Sequence, residues 1–195
     1  VVIADWLGGY VNEPFAHVDQ LQFLDAWTAV LGYTLQLYFD FSAYSEMAMG
    51  LAFMFDIALP VNFNSPYKSA NISEFWRRWH ITLGRFLRDY LYIPLGGSKK
   101  GQGRAVLAAM VVMLLGGLWH GAGWTFVIWG AMHGVYLAVH RVWCVKFSMP
   151  RPLGVLVTFI AVMFAWVMFR AASVTDAISI WQTLLGLNGI TLPSA

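Results

Sequence analysis

Residues 105–140 form the longest apolar stretch of the chain, 36 residues without an Asp, Glu, Lys or Arg. As a single helix this stretch would run roughly 54 Å, which is too long for one upright crossing of a ~30 Å hydrocarbon core. Glycines cluster between residues 116 and 123, where a break is expected. We therefore predict two helices, over residues 105–119 and 124–140, joined near His120 in a broken or re-entrant arrangement.

Two further apolar runs predict membrane-length helices. Residues 153–169 are uncharged and have an arginine on each side. Residues 26–55 are also long enough to cross a bilayer, but they include Asp40 and Glu46. Charges at membrane depth normally face a protein interior or a watery cavity, so these carboxylates are expected to contact neighbouring helices or an aqueous pathway. Together the runs predict an all-α fold, a polytopic transmembrane helix bundle.

The composition argues against an ordinary soluble enzyme and against disorder. Charged residues make up 11% of the 195, against roughly 25% in an average globular chain, while 59% are apolar. The formal net charge of +2 is too small to indicate nucleic-acid binding. A single cysteine excludes an internal disulfide framework or a cysteine-cluster metal site.

The basic residues are clustered, which predicts an orientation in the membrane. Eight of the 12 Lys and Arg residues fall in residues 68–104, and a smaller basic group spans residues 141–151. Such clusters mark the cytoplasmic side, so the segment between them should enter and leave the membrane on that side. Within the larger cluster, residues 73–92 mix aromatic and basic side chains, which predicts one amphipathic helix at the interface, capped by Ser73.

Histidines are the first candidates for chemistry. His120 and His133 lie in uncharged, apolar surroundings, where burial favours the neutral imidazole that can accept a proton. The alternative for both is a core histidine hydrogen-bonded between helices. Their spacing lacks the HExxH form of a zinc site, and no third ligand lies near them in sequence, so no bound metal is expected. His80, in the basic segment, is the third candidate.

Six motifs occur in order along the chain: YFDFSAYS (38–45), NFNSPY (62–67), EFWRRWH (74–80), RDYLYIPLGG (88–97), LWHG (118–121) and WGAMHG (129–134). Together they resemble the membrane-bound O-acyltransferases. Within that family the resemblance is to the bacterial branch containing alginate O-acetyltransferase and the teichoic-acid D-alanyl transfer protein. The Met168-Phe169-Arg170-Ala171 step is similar to the alginate-type members.

The resemblance implies roles for particular residues. His120, in a W-H-G setting, matches the family's downstream histidine and would be the general base, while His80 matches the upstream position and would orient a substrate or polarise the thioester carbonyl. His133 matches a further histidine of the polysaccharide-acetylating members. Trp119 and Asp40 are accessory candidates on the same basis.

The implied reaction is transfer of an acyl group, acetyl in the first instance, from a thioester to hydroxyls of an exported cell-surface polysaccharide. The donor, acetyl-CoA or an acyl carrier protein, would be a substrate rather than a bound cofactor. The implied setting is the inner (cytoplasmic) membrane, crossed several times. Partners would be membrane lipids, a donor or carrier protein on the cytoplasmic side and a periplasmic polysaccharide-modifying protein. The basic residues 68–104 would suit an acidic carrier or coenzyme phosphates, and equally anionic lipid headgroups.

Several alternatives stay open at this stage. Within the family they are D-alanyl transfer to teichoic acid and O-acetylation of peptidoglycan. From other classes they are a transporter or channel subunit, which would depend on Asp40 rather than His120, and a scaffold for a periplasmic acyltransferase. Members of the family are usually more than twice as long, so we expect residues 1–195 to be one partial domain, a fragment lacking N-terminal and C-terminal helices.

Overall fold

The computed structural model of the protein describes residues 2–190, apart from the side chain of Lys146, and shows an all-α architecture. The prediction of an all-α fold is confirmed, since no strand occurs in this described part of the chain. A π-helical turn at Arg88–Tyr92 follows the fourth helix. The helices are α1 Val2–Ala16, α2 Phe23–Phe53, α3 Ile72–Arg78, α4 Ile81–Leu87, α5 Gln102–His120, α6 Trp124–Lys146, α7 Arg151–Arg170 and α8 Val174–Leu184.

Two of these helices, α5 and α7, are long and apolar enough to cross a bilayer. Helix α7 also exposes a stripe of large apolar side chains at helical spacing: Leu153, Leu156, Val157 and Ile160. An exposed aliphatic stripe of this kind is unfavourable in water and favourable against lipid tails. The predicted run at residues 153–169 is therefore a helix with a lipid-compatible face.

The predicted break in the uncharged region is confirmed. Helix α5 ends at His120 and α6 begins at Trp124, so the two form an antiparallel hairpin whose tip is a short glycine-rich turn. Gly117 and Gly130 allow the helices to touch: a Cβ on Gly117 would overlap the carbonyl of Phe126, and one on Gly130 would overlap that of Met113. Small residues at such crossings let backbones approach, as they do in membrane helix pairs.

The prediction of one helix over residues 73–92 is wrong. That segment contains α3 and α4, with His80 between them in the left-handed conformation. The cap is also different from the one predicted: the Asn71 side chain accepts the backbone N–H of Glu74 at 2.8 Å, in place of Ser73. The sequence lacks a Gly or Pro at the break, so helical propensity alone gives no sign of it.

The chain divides into two compact units, residues 58–162 and residues 2–57 with 163–190. The second of these contains α1, α2 and α8, and α2 runs without interruption through its polar residues. Two indole N–H groups tie this unit together: Trp27 donates to the carbonyl of Leu184 at 3.0 Å, and Trp181 donates to that of Phe164 at 3.1 Å. The unit of residues 58–162 contains α3 to α6 and all the candidate histidines.

Candidate functional site

His80 is held in a strained backbone conformation by the segment that precedes α3. Its φ of 44° lies in the left-handed region, which costs a non-glycine residue roughly 1–2 kcal/mol. The strain is supported by backbone hydrogen bonds on both sides: Ile81 N–H donates to the carbonyl of Asn62 at 2.9 Å, and Asn64 N–H donates to that of Arg78 at 2.9 Å. Strain of this kind persists only where surrounding structure determines it, and it is common at active sites.

The same segment sets the tautomer of the His80 ring. Asn62 Oδ1 lies 3.2 Å from His80 Nδ1, and it also accepts the backbone N–H and the hydroxyl of Thr82 at 3.2 and 3.0 Å. A backbone N–H only donates, so the atom facing it must be the amide oxygen, and His80 Nδ1 must carry the proton. Nε2 is then the nitrogen with the lone pair.

Electrostatics keep the His80 ring neutral. Burial and, to a smaller extent, repulsion from a charge on His120 together lower the pKa of His80 to about 4. The ring is therefore uncharged at physiological pH. The repulsion also shows that the imidazoles of His80 and His120 lie within electrostatic reach of each other, although their motifs are 40 residues apart in sequence.

His120 is the last residue of α5, half-buried at the hairpin tip. Its ring meets the indole of Trp129 edge-on, with ring centres 5.3 Å apart and planes at 89°. Trp129 is 2% exposed, so the indole is a fixed wall against which the His120 ring is oriented. Trp119 projects outward instead, with 65% of its surface exposed.

His133 is fully buried, one helical turn after Trp129 on α6. Its ring centre lies 4.9 Å from that of Trp129 and 5.0 Å from that of Trp76, and it stacks on Phe75 at 6.2 Å. A substrate has no access to a side chain with 0% exposure. The structure therefore places His133 in the aromatic core behind His120, with Trp129 contacting both imidazoles.

Asp40 lies in the other compact unit, on α2, where it is exposed. Its accessory role stays a prediction. Among the described residues no cluster of three His, Cys, Asp or Glu side chains is arranged to hold a metal ion.

A cavity of about 370 Å³ lies in the same unit as the histidines. Its polar rim includes Arg88, Tyr92, His140 and Arg141, and the Tyr92 hydroxyl accepts a hydrogen bond from Arg141 at 3.3 Å. Gly84 of α4, whose N–H donates to the carbonyl of His80, also lines the cavity. The remaining wall is largely aliphatic and includes Leu87, Ala105, Ala109, Val112, Met113 and Leu137.

Sequence reasoning missed two components of this site. Asn62 was visible only as part of the NFNSPY motif, and its contact with His80 spans 18 residues with no local periodicity to reveal it. The cavity draws on α3, α4, α5 and α6, so no single motif contains it. The pairing of His80 with His120, in contrast, was implied by the resemblance to the family, and it stays a prediction.

Comparison with known proteins identifies the family. The family model for membrane-bound O-acyltransferases matches residues 9–181. Peptidoglycan O-acetyltransferase of Helicobacter pylori is 49% identical over 98% of this chain and 37% of its own length. Probable alginate O-acetylase of Azotobacter vinelandii is 46% identical over 98% of this chain and 39% of its own length.

A third relative is more distant: teichoic acid D-alanyltransferase of Bacillus subtilis is 30% identical over 71% of this chain and 39% of its own length. The chain thus spans less than two-fifths of the length of these relatives. The family match nevertheless covers His80 and His120, which are both half-buried, and the hairpin formed by α5 and α6. This chain belongs to the membrane-bound O-acyltransferase family.

Proposed function

We propose that this chain carries the acyl-transfer centre of an integral-membrane enzyme that acylates an exported polysaccharide. The observation that carries the proposal is that His80 and His120, from two separate motifs, are both half-buried in the same compact unit and lie within electrostatic reach of each other. Neutral, partly desolvated imidazoles at a helix break are the groups that hydroxyl activation requires.

The chemistry is attack of a sugar hydroxyl on a thioester carbonyl. His120 takes the hydroxyl proton as the oxygen attacks, and the C–S bond breaks as the C–O bond forms. The departing thiolate then receives the proton from the imidazolium of His120, so the ring returns to its neutral state. A positioned base of this kind contributes roughly 10²- to 10⁴-fold to the rate.

His80 acts beside this base as a hydrogen-bond acceptor. Because Nδ1 donates to Asn62, Nε2 presents a lone pair, which suits accepting a hydrogen bond from a second hydroxyl of the acceptor sugar, beside the one that His120 deprotonates, and does not suit polarising a carbonyl oxygen. The tautomer therefore favours the first of the two roles that the resemblance implied. Trp129 packs edge-on against His120 and orients that ring, and His133 packs against Trp129 in the aromatic core.

The thioester donor approaches through the cavity in residues 58–162. Arg88 and Arg141, which line the cavity, would attract the phosphates of acetyl-CoA or of an acyl carrier protein, and Gly84 of α4, which also lines it, is hydrogen-bonded to the backbone of His80. The clustering of basic residues in 68–104 supports an entrance on the cytoplasmic side, and we propose that the membrane is the inner membrane and that the protein crosses it several times. Anionic lipid headgroups are the other partner that this charge would attract.

Acetyl transfer is favoured over D-alanyl transfer by the degree of similarity. Relatives named for acetylation of peptidoglycan and alginate are 46–49% identical to this chain, against 30% for the teichoic-acid protein named above. Residues 1–195 are accordingly assigned to one acyltransferase domain, with a periplasmic polysaccharide-modifying protein as the partner on the far side.

The test uses the full-length protein in its host, with ester content of the exported polymer as the readout. His120→Gln should reduce the ester at least about 100-fold at matched membrane abundance. His17→Gln is the matched control, because His17 is an exposed histidine in the other unit and should leave the ester unchanged.

Retained ester in His120→Gln would reject the proposal and favour a transporter or scaffold. A transporter would instead lose activity in Asp40→Asn. A scaffold would retain complex formation without both histidines and would show the same ester content in every one of these variants.

A further inference from the structure

Arg170, the last residue of α7, sits on an aromatic platform in the unit of residues 2–57 and 163–190. Its guanidinium carbon lies 5.4 Å from the ring centre of Phe15 and 5.9 Å from that of Tyr33. Both rings are buried, with 7% and 8% exposure. A cation over two ring faces is attracted by their quadrupoles, and the platform fixes the plane of the guanidinium.

One hydrogen bond completes the seat: Arg170 Nη2 donates to Asn12 Oδ1 at 3.0 Å. A guanidinium has five N–H donors, so most of its donor capacity faces elsewhere. No carboxylate among the described residues forms an ion pair with Arg170. The side chain is half-buried, so part of this oriented guanidinium remains accessible.

The position of Arg170 along the chain gives its side of the membrane. Helix α7 starts at Arg151, in the second basic cluster, and its 20 residues span about the thickness of the hydrocarbon core. If that cluster is cytoplasmic, the opposite end of α7 lies at the outer face. An exported polymer would be met at that face.

We propose that Arg170, seated on Phe15 and Tyr33 and held by Asn12, binds an acidic group, carboxylate or phosphate, on the acceptor polysaccharide. The guanidinium fork matches both oxyanions and pairs with them bidentately. The proposal rests on the proposed function for the identity of the acceptor. It assigns to this residue recognition of the polymer's charge and no part in the acyl-transfer chemistry.

The test measures equilibrium binding to the full-length protein in nanodiscs of zwitterionic lipid. The probes are a fluorescent uronic-acid hexasaccharide, its carboxyl-reduced neutral counterpart and an oligomer of glycerol phosphate. The variants are Arg170→Gln and Arg170→Lys. Arg151→Gln, at the other end of the same helix, is the control for removing an arginine from α7.

Arg170→Gln should weaken binding of at least one acidic probe about 10- to 100-fold and change binding of the neutral probe by less than about two-fold. Arg170→Lys should fall between, because a point charge keeps the attraction but loses the fork. Arg151→Gln should bind as the wild type does. The two acidic probes separate carboxylate from phosphate recognition.

Equal binding of acidic probes by wild type and Arg170→Gln would overturn the inference, as would equal losses for acidic and neutral probes. If the Arg170→Gln protein does not accumulate, a salt titration of the wild type takes the place of this variant. Added NaCl should then weaken binding of the acidic probes and leave binding of the neutral probe unchanged. Repeating the binding in anionic nanodiscs tests lipid headgroups as the true ligand. If Arg170→Gln changed only how the protein responds to anionic lipid and left binding of the acidic probes unchanged, the inference would also be overturned.

Failure of the proposed function would look different. A wild-type protein that distinguishes acidic from neutral probes through Arg170 but never forms an ester would retain this inference and lose the acyl-transfer assignment.

Discussion

His80 and His120 both sit where a helix stops, yet the two stops are built in different ways. The stop at His120 is made by glycines: Gly121 ends α5, and Gly117 and Gly130 let the hairpin close tightly behind it. The stop at His80 is made by tertiary hydrogen bonds from Asn62 and by a strained left-handed residue. His120 is positioned by close packing of helix backbones, and His80 is positioned by hydrogen bonds from Asn62. Mutations at the two places should therefore have different effects on stability and on the transfer rate.

The largest effect should come from breaking the hairpin that carries His120. In Gly130→Ala the new Cβ would overlap the carbonyl of Met113, so the helices must separate, at a cost of about 1–3 kcal/mol or more. We expect a lower unfolding temperature in detergent and loss of ester formation. Gly103→Ala is the control: it lies on the same helix as Met113 with open space around it, and it should keep or slightly raise stability. A Gly130→Ala protein as stable as the wild type would show that the close contact is not needed.

The next effect should come from removing the clamp on His80. Asn62→Ala should reduce the transfer rate about 10- to 100-fold, because the His80 ring loses the acceptor that fixes its tautomer and orientation. Asn64→Ala is the matched control, since Asn64 contacts Arg78 through its backbone carbonyl and N–H. Equal rates for the two alanine variants would mean that the clamp does not position the histidine.

Replacing Asn62 by a carboxylate tests the same contact with His80 through the pH dependence of the rate. His80 has its pKa lowered to about 4, mainly by burial, so it stays neutral over the physiological range. In Asn62→Asp a carboxylate beside Nδ1 favours the imidazolium and raises that pKa. The acidic limb of the rate profile should then move to higher pH, by about one unit or more, since the variant loses the Nε2 lone pair at a higher pH. An unmoved acidic limb would contradict the assigned role of the Nε2 lone pair.

The smallest effect concerns the start of the helix that leads to His80. Asn71→Ala removes the cap of α3 and should cost about 1 kcal/mol of unfolding free energy. Ser73→Ala should cost less than Asn71→Ala, because the Ser73 hydroxyl caps no helix end in the structure. Thermal unfolding of the two variants side by side decides between the observed cap and the one expected from the sequence.

These two stops also show what could be predicted from the sequence. The break at His120 was predicted correctly because glycines and the excess length of an uncharged stretch are local signals. The break at His80 was missed because a left-handed histidine depends on hydrogen bonds from a segment 18 residues away. Propensity favours a continuous helix there, and tertiary structure overrides it.

The candidate site also contains residues that could be predicted from the sequence and residues whose positions depend on tertiary contacts. The resemblance to the family implied His80 and His120 as partners, and in the structure they lie within electrostatic reach of each other. The fully buried position of His133 and the seat of Arg170 could not be read from spacing, because both depend on aromatic rings contributed by other helices. Periodicity identifies which residues lie on a helix, but it does not identify which helices meet.

The most direct test of the account is a double-mutant cycle on His80 and His120 in the full-length protein, with the rate of ester formation as the readout. If the two imidazoles act on one acceptor sugar, His120 as the base and His80 as the group that orients it, the double variant His80→Gln/His120→Gln should be no slower than His120→Gln alone, since residues that act as a unit are strongly non-additive. Losses that multiply, as expected for independent sites, would contradict the central claim that the two histidines form one acyl-transfer centre.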